Sequence, residues 1–288
     1  MTTPKKLLFL FDTDPHASVF DTVVAYDGGA DRVAGYANVT PDNVGPLVDG
    51  TIFTRGGKEK QNTAIFIGGG DMTKGEALLK AVQKKFFGPF RVSVMLDPNG
   101  SNTTAAAGVA LLAKATNLKD KKAVVLAGTG PVGMRAAALL ALEGADVSLT
   151  SRVMQRAENA AKAIEARFGV KVKPMQGADE TTRAKDVEGA QIVFAAGAIG
   201  IELLKTEHWE HNNTIEAVAD CNAQPPLGLE GIEATDKGTQ RDGVICFGAL
   251  GIGGLKLKLH RACIGQLFES SEQVLDAENI YALAKEMA

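Results

Sequence analysis

At 288 residues, with 45% apolar and 23% charged side chains and a formal charge of −3, the chain has length for one or two domains with real cores, and no overall charge that would draw it to nucleic acid or an anionic membrane. Cys221, Cys246 and Cys263 are odd in number and lack C-x-x-C spacing, which excludes a disulfide framework or a cysteine zinc site and leaves reduced cytosolic thiols as the default. The apolar run LLFLF after Lys5 and Lys6 stops at Asp12, too short for a signal-peptide core or a bilayer span, so the expected location is the cytoplasm, with no membrane partner.

Along the first hundred residues, short β-rich runs alternate with helical patterns: KLLFLF, SVFDTVVAYDGGA, RVAGYANV, TIFTR, TAIFIGGG, the helical KGEALLKAVQKKFF, and FRVSVML. This alternation predicts a parallel α/β domain. In DPNGSNTTAAAGVALLAKA, an Asn99-Gly100 turn precedes Ser101, Asn102 and Thr103 as possible N-caps of an alanine-rich helix that bridges two domains. From Lys122 a new cycle begins, with AVVLA, DVSLT, VKVKPM, QIVFAA, IEAVAD and GVICFG as six strands of a Rossmann-like set. The segment GIGGLKLKLHRACIGQLFESSEQV turns helical after its glycines, and AENIYALAKEMA is an amphipathic helix. The expected division is 1–100 with 268–288 as one α/β domain, and 101–267 as a Rossmann-like dinucleotide domain.

Ligands of open parallel sheets collect outside the carboxyl ends of the strands. Polar or glycine residues mark those ends here: Asp12-Thr13-Asp14, Gly68 to Asp71, Asp97 to Asn99, Gly128 to Gly133, Gly197, Asp220 to Asn222 and Gly248 to Gly254. Two facing rows of such ends would form an interdomain cleft.

The most specific short motif is Gly128-Thr129-Gly130-Pro131-Val132-Gly133, a G-x-G-x-x-G that follows an apolar strand and opens a helix. Gly128 permits the tight turn, Gly130 lets the backbone approach a pyrophosphate, and Gly133 allows close helix–strand packing, while free N–H groups at the helix start hold the phosphates. An NAD site would carry an acidic residue about twenty positions on, at the adenosine ribose. Here the second strand ends in Thr150-Ser151-Arg152. Hydroxyls donate to a 2′-phosphate and a guanidinium pairs with it, where a carboxylate repels it; NADP is therefore the expected cofactor, with Arg156 one turn later as a further contact. Ala196 at the end of IVFAA, Gly197, Ala198 and Ile199 after it, and Gly253 in GALGIGG are small or apolar positions against which a nicotinamide ring would lie.

Beyond this motif, FDTDPHASVFDTVVAYDGGAD, NVTPDNVGPLVDGTIFTRGGKEKQNTAIFIGGGDM, DPNGSNTTAAAGVALL, AGTGPVGMRAAALLA, DCNAQPPLGLEGIEATDKG and FGALGIGGLKLKLHRACI closely resemble the NADP-dependent methylene-tetrahydromethanopterin dehydrogenases of methylotrophic bacteria, over essentially the whole chain. The resemblance implies an N-terminal pterin-side domain, a Rossmann domain, a homo-oligomer (trimer or hexamer), and a role in one-carbon oxidation. It implies tetrahydromethanopterin or tetrahydrofolate as substrate carrier. In such a reaction a nitrogen lone pair expels hydride from the bridging methylene, so alignment matters more than a protein base. Candidate catalytic residues are Lys256, to orient substrate, and Asp97, to favour the developing cation. Candidate substrate contacts are Asp12, Asp14, Lys60, Asn99, Thr103, Asn222 and Gln224.

No metal is expected: His208 and His211 in EHWEH lack the H-E-x-x-H order and a third ligand. The rival enzyme reading is a shikimate- or amino-acid-type NADP dehydrogenase, which needs a positioned acid/base; Lys60 is the one candidate for it. The rival outside enzymes is a non-catalytic NADPH sensor.

Overall fold

The computed structural model describes residues 4–210 and 212–288. The chain divides into two compact units, Met1–Thr103 with Leu257–Leu283, and Thr104–Lys256 with Ala284–Ala288. In chain order the first unit contains β1 (Leu7–Asp12), α1 (Val19–Asp27), β2 (Arg32–Tyr36), α2 (Gly45–Phe53), β3 (Thr63–Gly68), α3 (Met72–Lys85) and β4 (Ser93–Leu96). A 3-10 turn, Pro98–Gly100, then leads into α4 (Ser101–Ala115). The second unit adds β5 (Lys122–Leu126), α5 (Pro131–Leu142), β6 (Asp146–Ser151), α6 (Met154–Phe168), β7 (Lys173–Gln176), α7 (Glu180–Asp186), β8 (Ile192–Ala195), β9 (Ala217–Asp220), β10 (Lys237–Arg241) and β11 (Val244–Phe247). The chain ends with α8 (Ala249–Gln266), β12 (Val274–Leu275) and α9 (Ala277–Met287).

The first unit is a five-stranded sheet in the order β12-β4-β3-β1-β2, every pair parallel. Read from β2, this is the 2-1-3-4-5 order of a doubly wound sheet, whose direction of winding reverses between β1 and β3. Asp12 pairs in register with Gly68 there, so both chain ends open at the reversal. The strands are apolar on both faces because helices cover both: all of β3 is buried, and Phe11, Ile65 and Ile67 pack with Val48, Ile52, Leu78 and Val82 of α2 and α3. TIFTR reads as strand-like from Thr51, Ile52 and Phe53, yet it closes α2. The four-residue spacing of the buried Val44, Val48 and Ile52 outweighs local β propensity.

The second unit is a seven-stranded sheet ordered β10-β11-β9-β8-β5-β6-β7, parallel except for the β10–β11 hairpin. Its six parallel strands follow the 3-2-1-4-5-6 Rossmann order, with the reversal between β5 and β8. The extra strand β10, Lys-Gly-Thr-Gln-Arg, is too polar to read as a strand. Asp242 and Gly243, both at positive φ, turn it back onto β11 as the two-residue hairpins of Asp-Gly sequences do.

The division differs from expectation at each crossing: the first follows Thr103 instead of residue 100, and Ala284–Ala288 group with the second unit instead of the first. The second crossing falls inside α8, after Lys256, instead of at residue 268. No breaker interrupts this 18-residue helix, and its later residues pack on the first unit: the His260 ring stacks on Phe66 at 5.4 Å, Arg261 pairs with Asp27 at 2.6 Å, and Ile264 lies against Gly28.

Candidate functional site

In the second unit, β5 ends at Leu126 and the chain turns sharply through Ala127, whose φ of +51° is rare for a residue with a side chain. Two bonds hold the turn against β6: the Ala127 N–H donates to Thr150 Oγ1 at 3.1 Å, and the Gly128 N–H to the Thr150 carbonyl at 2.9 Å. A Cβ on Gly133 would lie 2.6 Å from Gly128 Cα, so the α5 backbone approaches the turn as only glycine permits. A Cβ on Gly130 would meet nothing within 4 Å: that face of the turn is open. Gly130 caps α5 without a side-chain bond and Pro131 starts it, so the first helical N–H groups point out past Thr129 and Val132 without a side-chain partner at the cap. These features fit a pyrophosphate.

Beside the turn lies a cavity of about 280 Å³. The ends of β6 and β8 line it with Thr150, Ser151, Arg152, Gly197 and Ala198, joined by Ile201 and Leu203 from the loop after β8 and by Gly177 and Arg183 from the β7–α7 segment. Thr150 is buried and its hydroxyl already serves Ala127, whereas Arg152 is exposed and free to swing. Arg156 is exposed in the first turn of α6. Ala196 is fixed by its N–H to the Leu126 carbonyl at 3.0 Å, and Ile199 is 67% exposed beside the cavity mouth residue Ala198. Arg183 was not singled out from sequence; nothing in a short polar helix marks one arginine over its neighbours.

Gly248 and Gly251 have a different use. A Cβ on either would fall 2.0 Å from the Glu233 or Asp236 carbonyl, so these glycines let the start of α8 lie on the 233–236 backbone. Gly253 lies one turn into α8 with open space around it, and is not part of the cavity lining described above.

In the first unit, a smaller recess of about 180 Å³ sits at the winding reversal and brings together Asp12, Asp14 and Asn99. Sequence reasoning missed its other polar members, His16, Ser18 and Asp21. Ser18 is the N-cap of α1, accepting from the Asp21 N–H, and this places Asp21 in the first helical turn facing the recess. Asp12 Oδ1 accepts from the Asp14 N–H at 2.9 Å and Oδ2 from the Ser18 N–H at 3.0 Å. Burial nevertheless pushes the Asp12 carboxyl above the ordinary carboxylate range, the nearby Asp14 charge adding to the effect. A Cβ on Gly68 would sit 3.4 Å from Asp12 Oδ2 and 3.5 Å from Asp21 Oδ2, so two carboxylates converge over one glycine.

Asp97 and Thr103 are not among the residues that line this recess. Asp97 is fully buried; its Oδ1 accepts from the Asn102 and Thr103 N–H groups and its Oδ2 from the Thr103 hydroxyl at 2.6 Å. Both oxygens are committed to starting α4. Asn222 is similarly engaged, binding the Asp220 carboxylate, the Pro226 carbonyl and the Gln224 N–H within the loop after β9, where Gln224 itself is exposed. Lys256 is half-buried in α8, the last residue of the second unit before the chain crosses.

Lys60 does not join any of these groups. It precedes β3, at the amino end of the strands and so at the opposite sheet edge from the recess. There its Nζ donates to the Pro89 carbonyl at 2.7 Å and lies 4.2 Å from the Phe90 ring centre. His211 lies outside the described residues. His208 instead meets Glu180 at 3.2 Å and Glu207 at 3.7 Å, three potential ligands in one cluster, but Lys205 already faces Glu180 at 3.3 Å. His208 and Lys205 hold the Glu180 carboxyl below the ordinary range.

Residues 19–99 match the family described as methylene-tetrahydromethanopterin dehydrogenase, N-terminal. The chain is 67% identical over 99% of both sequences to the bifunctional protein MdtA of Methylorubrum extorquens. It belongs to this dehydrogenase family. A second relative from the same organism, an NAD(P)-dependent methylenetetrahydromethanopterin dehydrogenase, is 31% identical over 99% of both sequences. Among solved structures, the ligand-free 5-ketofructose reductase of Gluconobacter sp. strain CHM43 shares the family's two-unit α/β fold, with a TM-score of 0.56 at 17% identity and complete coverage of both chains. Among the described residues, no helix is long and apolar enough to cross a membrane.

Proposed function

We propose that the protein oxidises methylene-tetrahydromethanopterin, and methylene-tetrahydrofolate as a second substrate, with NADP as hydride acceptor. The observation that carries this reading is the pairing of an open glycine turn at Gly128–Gly133 with a β6 end that offers Thr150, Ser151 and Arg152 in place of a carboxylate. The full-length relatives, one named for this reaction, support it. NADP, when bound, would supply the hydride acceptor; the hydride carries away both C–H electrons, and the lone pair of an adjacent substrate nitrogen fills the carbon it leaves, so the methenyl cation forms with no proton to remove.

The chain's own residues then have positioning tasks. The α5 start holds the pyrophosphate, and Arg152 with Ser151 recognises the 2′-phosphate. The recess of Asp12, Asp14, Asp21 and Asn99 takes the pterin ring, whose ring N–H and amino groups are donors suited to carboxylates. Asp97 and Thr103 brace that recess through α4, and Lys256 orients the substrate. Lys60 is unavailable as the acid/base that a shikimate-type reaction would need, since at the far sheet edge its Nζ donates to the Pro89 carbonyl. We further propose a cytoplasmic homo-oligomer, trimer or hexamer, which sedimentation of the purified protein measures.

Initial rates of NADPH and NADH formation with both methylene-pterins and both nucleotides test the reading. NADPH formation from methylene-tetrahydromethanopterin is expected to be fastest, and Arg152→Ala should reduce the NADP over NAD preference in kcat/KM by about tenfold or more, the loss of a charge-assisted phosphate pair. No turnover with either pterin, despite tight NADP binding, leaves a coenzyme sensor instead.

A further inference from the structure

The 280 Å³ cavity lies near the lower end of the ~300–1,000 Å³ typical of small-molecule sites. Most of its wall is apolar, from Ala198, Ile201 and Leu203. Two arginines reach it, and they are held differently. Arg152 is an exposed loop residue at the end of β6. Arg183 is half-buried and fixed: its Nε donates to the Leu203 carbonyl at 2.5 Å, and its stem lies over Gly177. A Cβ on Gly177 would come within 2.8 Å of Arg183 Cγ, so only a glycine there lets the stem lie flat across the β7 end. The bond from Nε to Leu203 and a longer one from Nη1 to the Gly177 carbonyl at 3.5 Å hold the guanidinium by its edge among the cavity-lining residues. An arginine held by its edge offers its face, and a flat, delocalised, weakly hydrated cation stacks well on an aromatic ring.

We propose that Arg183 is the platform for the adenine ring of the coenzyme, gripping the base while Arg152 reads the phosphate. This assignment rests on the coenzyme reading above and deepens it. In the Rossmann order the adenosine half lies over the β5–β6 side of the reversal, and β7 with α7 is the next element outward. A planar base entering between the Thr150–Ser151 end and the apolar residues after β8 meets the Arg183 face. The grip on the base is then separate from the choice between NADP and NAD. Base stacking depends on the adenine, which both coenzymes carry, whereas the phosphate contact depends on the 2′ position alone. Asp186, one turn along α7, is half-buried beside Gly177, and that burial pushes its carboxyl up; the Lys122 and Arg183 charges oppose the shift. Removing the Arg183 charge therefore also disturbs Asp186, and a charge-preserving variant is needed beside a neutral one.

The test is calorimetric binding of NADP, NAD, 2′,5′-ADP and nicotinamide mononucleotide to wild type, Arg183→Lys and Arg183→Leu. Both variants are expected to bind the three adenine-bearing ligands about tenfold more weakly, in line with loss of a stacking contact. The ratio of NADP to NAD affinity should stay within about twofold of wild type, and nicotinamide mononucleotide binding should not change. A collapse of the NADP to NAD ratio would make Arg183 a phosphate ligand and overturn the assignment. So would equal affinities in a variant that has only lost thermal stability, since Arg183 would then be a brace between α7 and the Leu203 loop. If wild type binds neither coenzyme, the coenzyme reading fails with it; if wild type binds NADP and both variants match it, this assignment alone fails.

Discussion

Gly130 and Gly133 stand three residues apart in one motif but carry different physical loads. The Gly133 position is closed by backbone, with Gly128 Cα 2.6 Å from an added Cβ, while the Gly130 position is open and its φ of −79° suits any residue. Gly133→Ala should therefore lower both melting temperature and NADP affinity. Gly130→Ala should leave the melting temperature unchanged and still weaken NADP by tenfold or more, because its methyl occupies the space through which the phosphates approach. Equal NADP affinity in Gly130→Ala would move the pyrophosphate elsewhere. Lys60 supplies the converse case, a charged residue at a plausible loop position whose task is internal: at 6% exposure it donates to the Pro89 carbonyl. Lys60→Met keeps the stem and removes the charged donor to the Pro89 carbonyl, at a cost of about 1 kcal/mol. Differential scanning calorimetry should show the loss, while kcat/KM for the pterin stays within about twofold of wild type. A tenfold rise in KM without a thermal effect would restore Lys60 to the substrate. The sequence made these two glycines legible through their spacing, but Lys60 was ambiguous, since nothing in RGGKEKQ says which end of the sheet it will occupy.

Elements with a strong apolar period were readable, and so were strand ends, because parallel strands buried on both faces leave long apolar runs that stop abruptly. What escaped was structure made by a few polar residues against a neighbouring edge. Strand β10 exists because β11 offers an edge and Asp242-Gly243 turns the chain back onto it. The recess of the first unit was half legible: Asp12, Asp14 and Asn99 lie at strand ends, whereas Asp21 reaches it only because Ser18 caps α1. The β10–β11 hairpin is held by a local ion pair. Arg241 forks onto Asp236, Nε to Oδ2 at 2.7 Å and Nη2 to Oδ1 at 2.8 Å, and the Asp236 backbone carbonyl receives the Gly248 N–H at the start of α8. Burial opposes the charge on Asp236, but the Arg241 fork, the Glu233 N–H and the Arg241 charge outweigh it and hold the carboxyl below its ordinary range. A depressed folded-state value gives stability that is present above the unfolded carboxylate value and is lost as pH falls through the folded one. Arg241→Met should cost about 2 kcal/mol at neutral pH, between the roughly 0–1 of an exposed pair and the 3–5 of a broken buried one. The gap in urea-unfolding free energy between variant and wild type should narrow once pH falls below the ordinary carboxylate range, as Asp236 protonates in both. A gap that widens in acid would show that Arg241 acts through packing alone.

Across the whole molecule, the two units have separate cores, one around Phe11 and Ile67 and the other around Val193 and Trp209. Yet all three places where the chain passes from one unit to the other fall inside helices: after Thr103 in α4, after Lys256 in α8 and after Leu283 in α9. Domain boundaries more often fall in exposed flexible linkers. A helix cut at such a point must lose turns belonging to both units when either melts, and short helical fragments are unstable alone. Unfolding is therefore expected to be a single cooperative transition. NADP then stabilises the whole chain, although its site is built by the second unit. At a free concentration 100 times its Kd it adds about 2.7 kcal/mol. With an unfolding entropy near 2.1 cal/mol/K per residue, that shift spreads over 288 residues as a rise of about 4–5 °C. Were the second unit to melt alone, its roughly 160 residues would give a rise of about 8 °C, with the first unit's transition left in place. Calorimetric scans with and without NADP separate the two cases by the size of the shift and the number of peaks. Two peaks with only one displaced would mean that the shared helices do not couple the units.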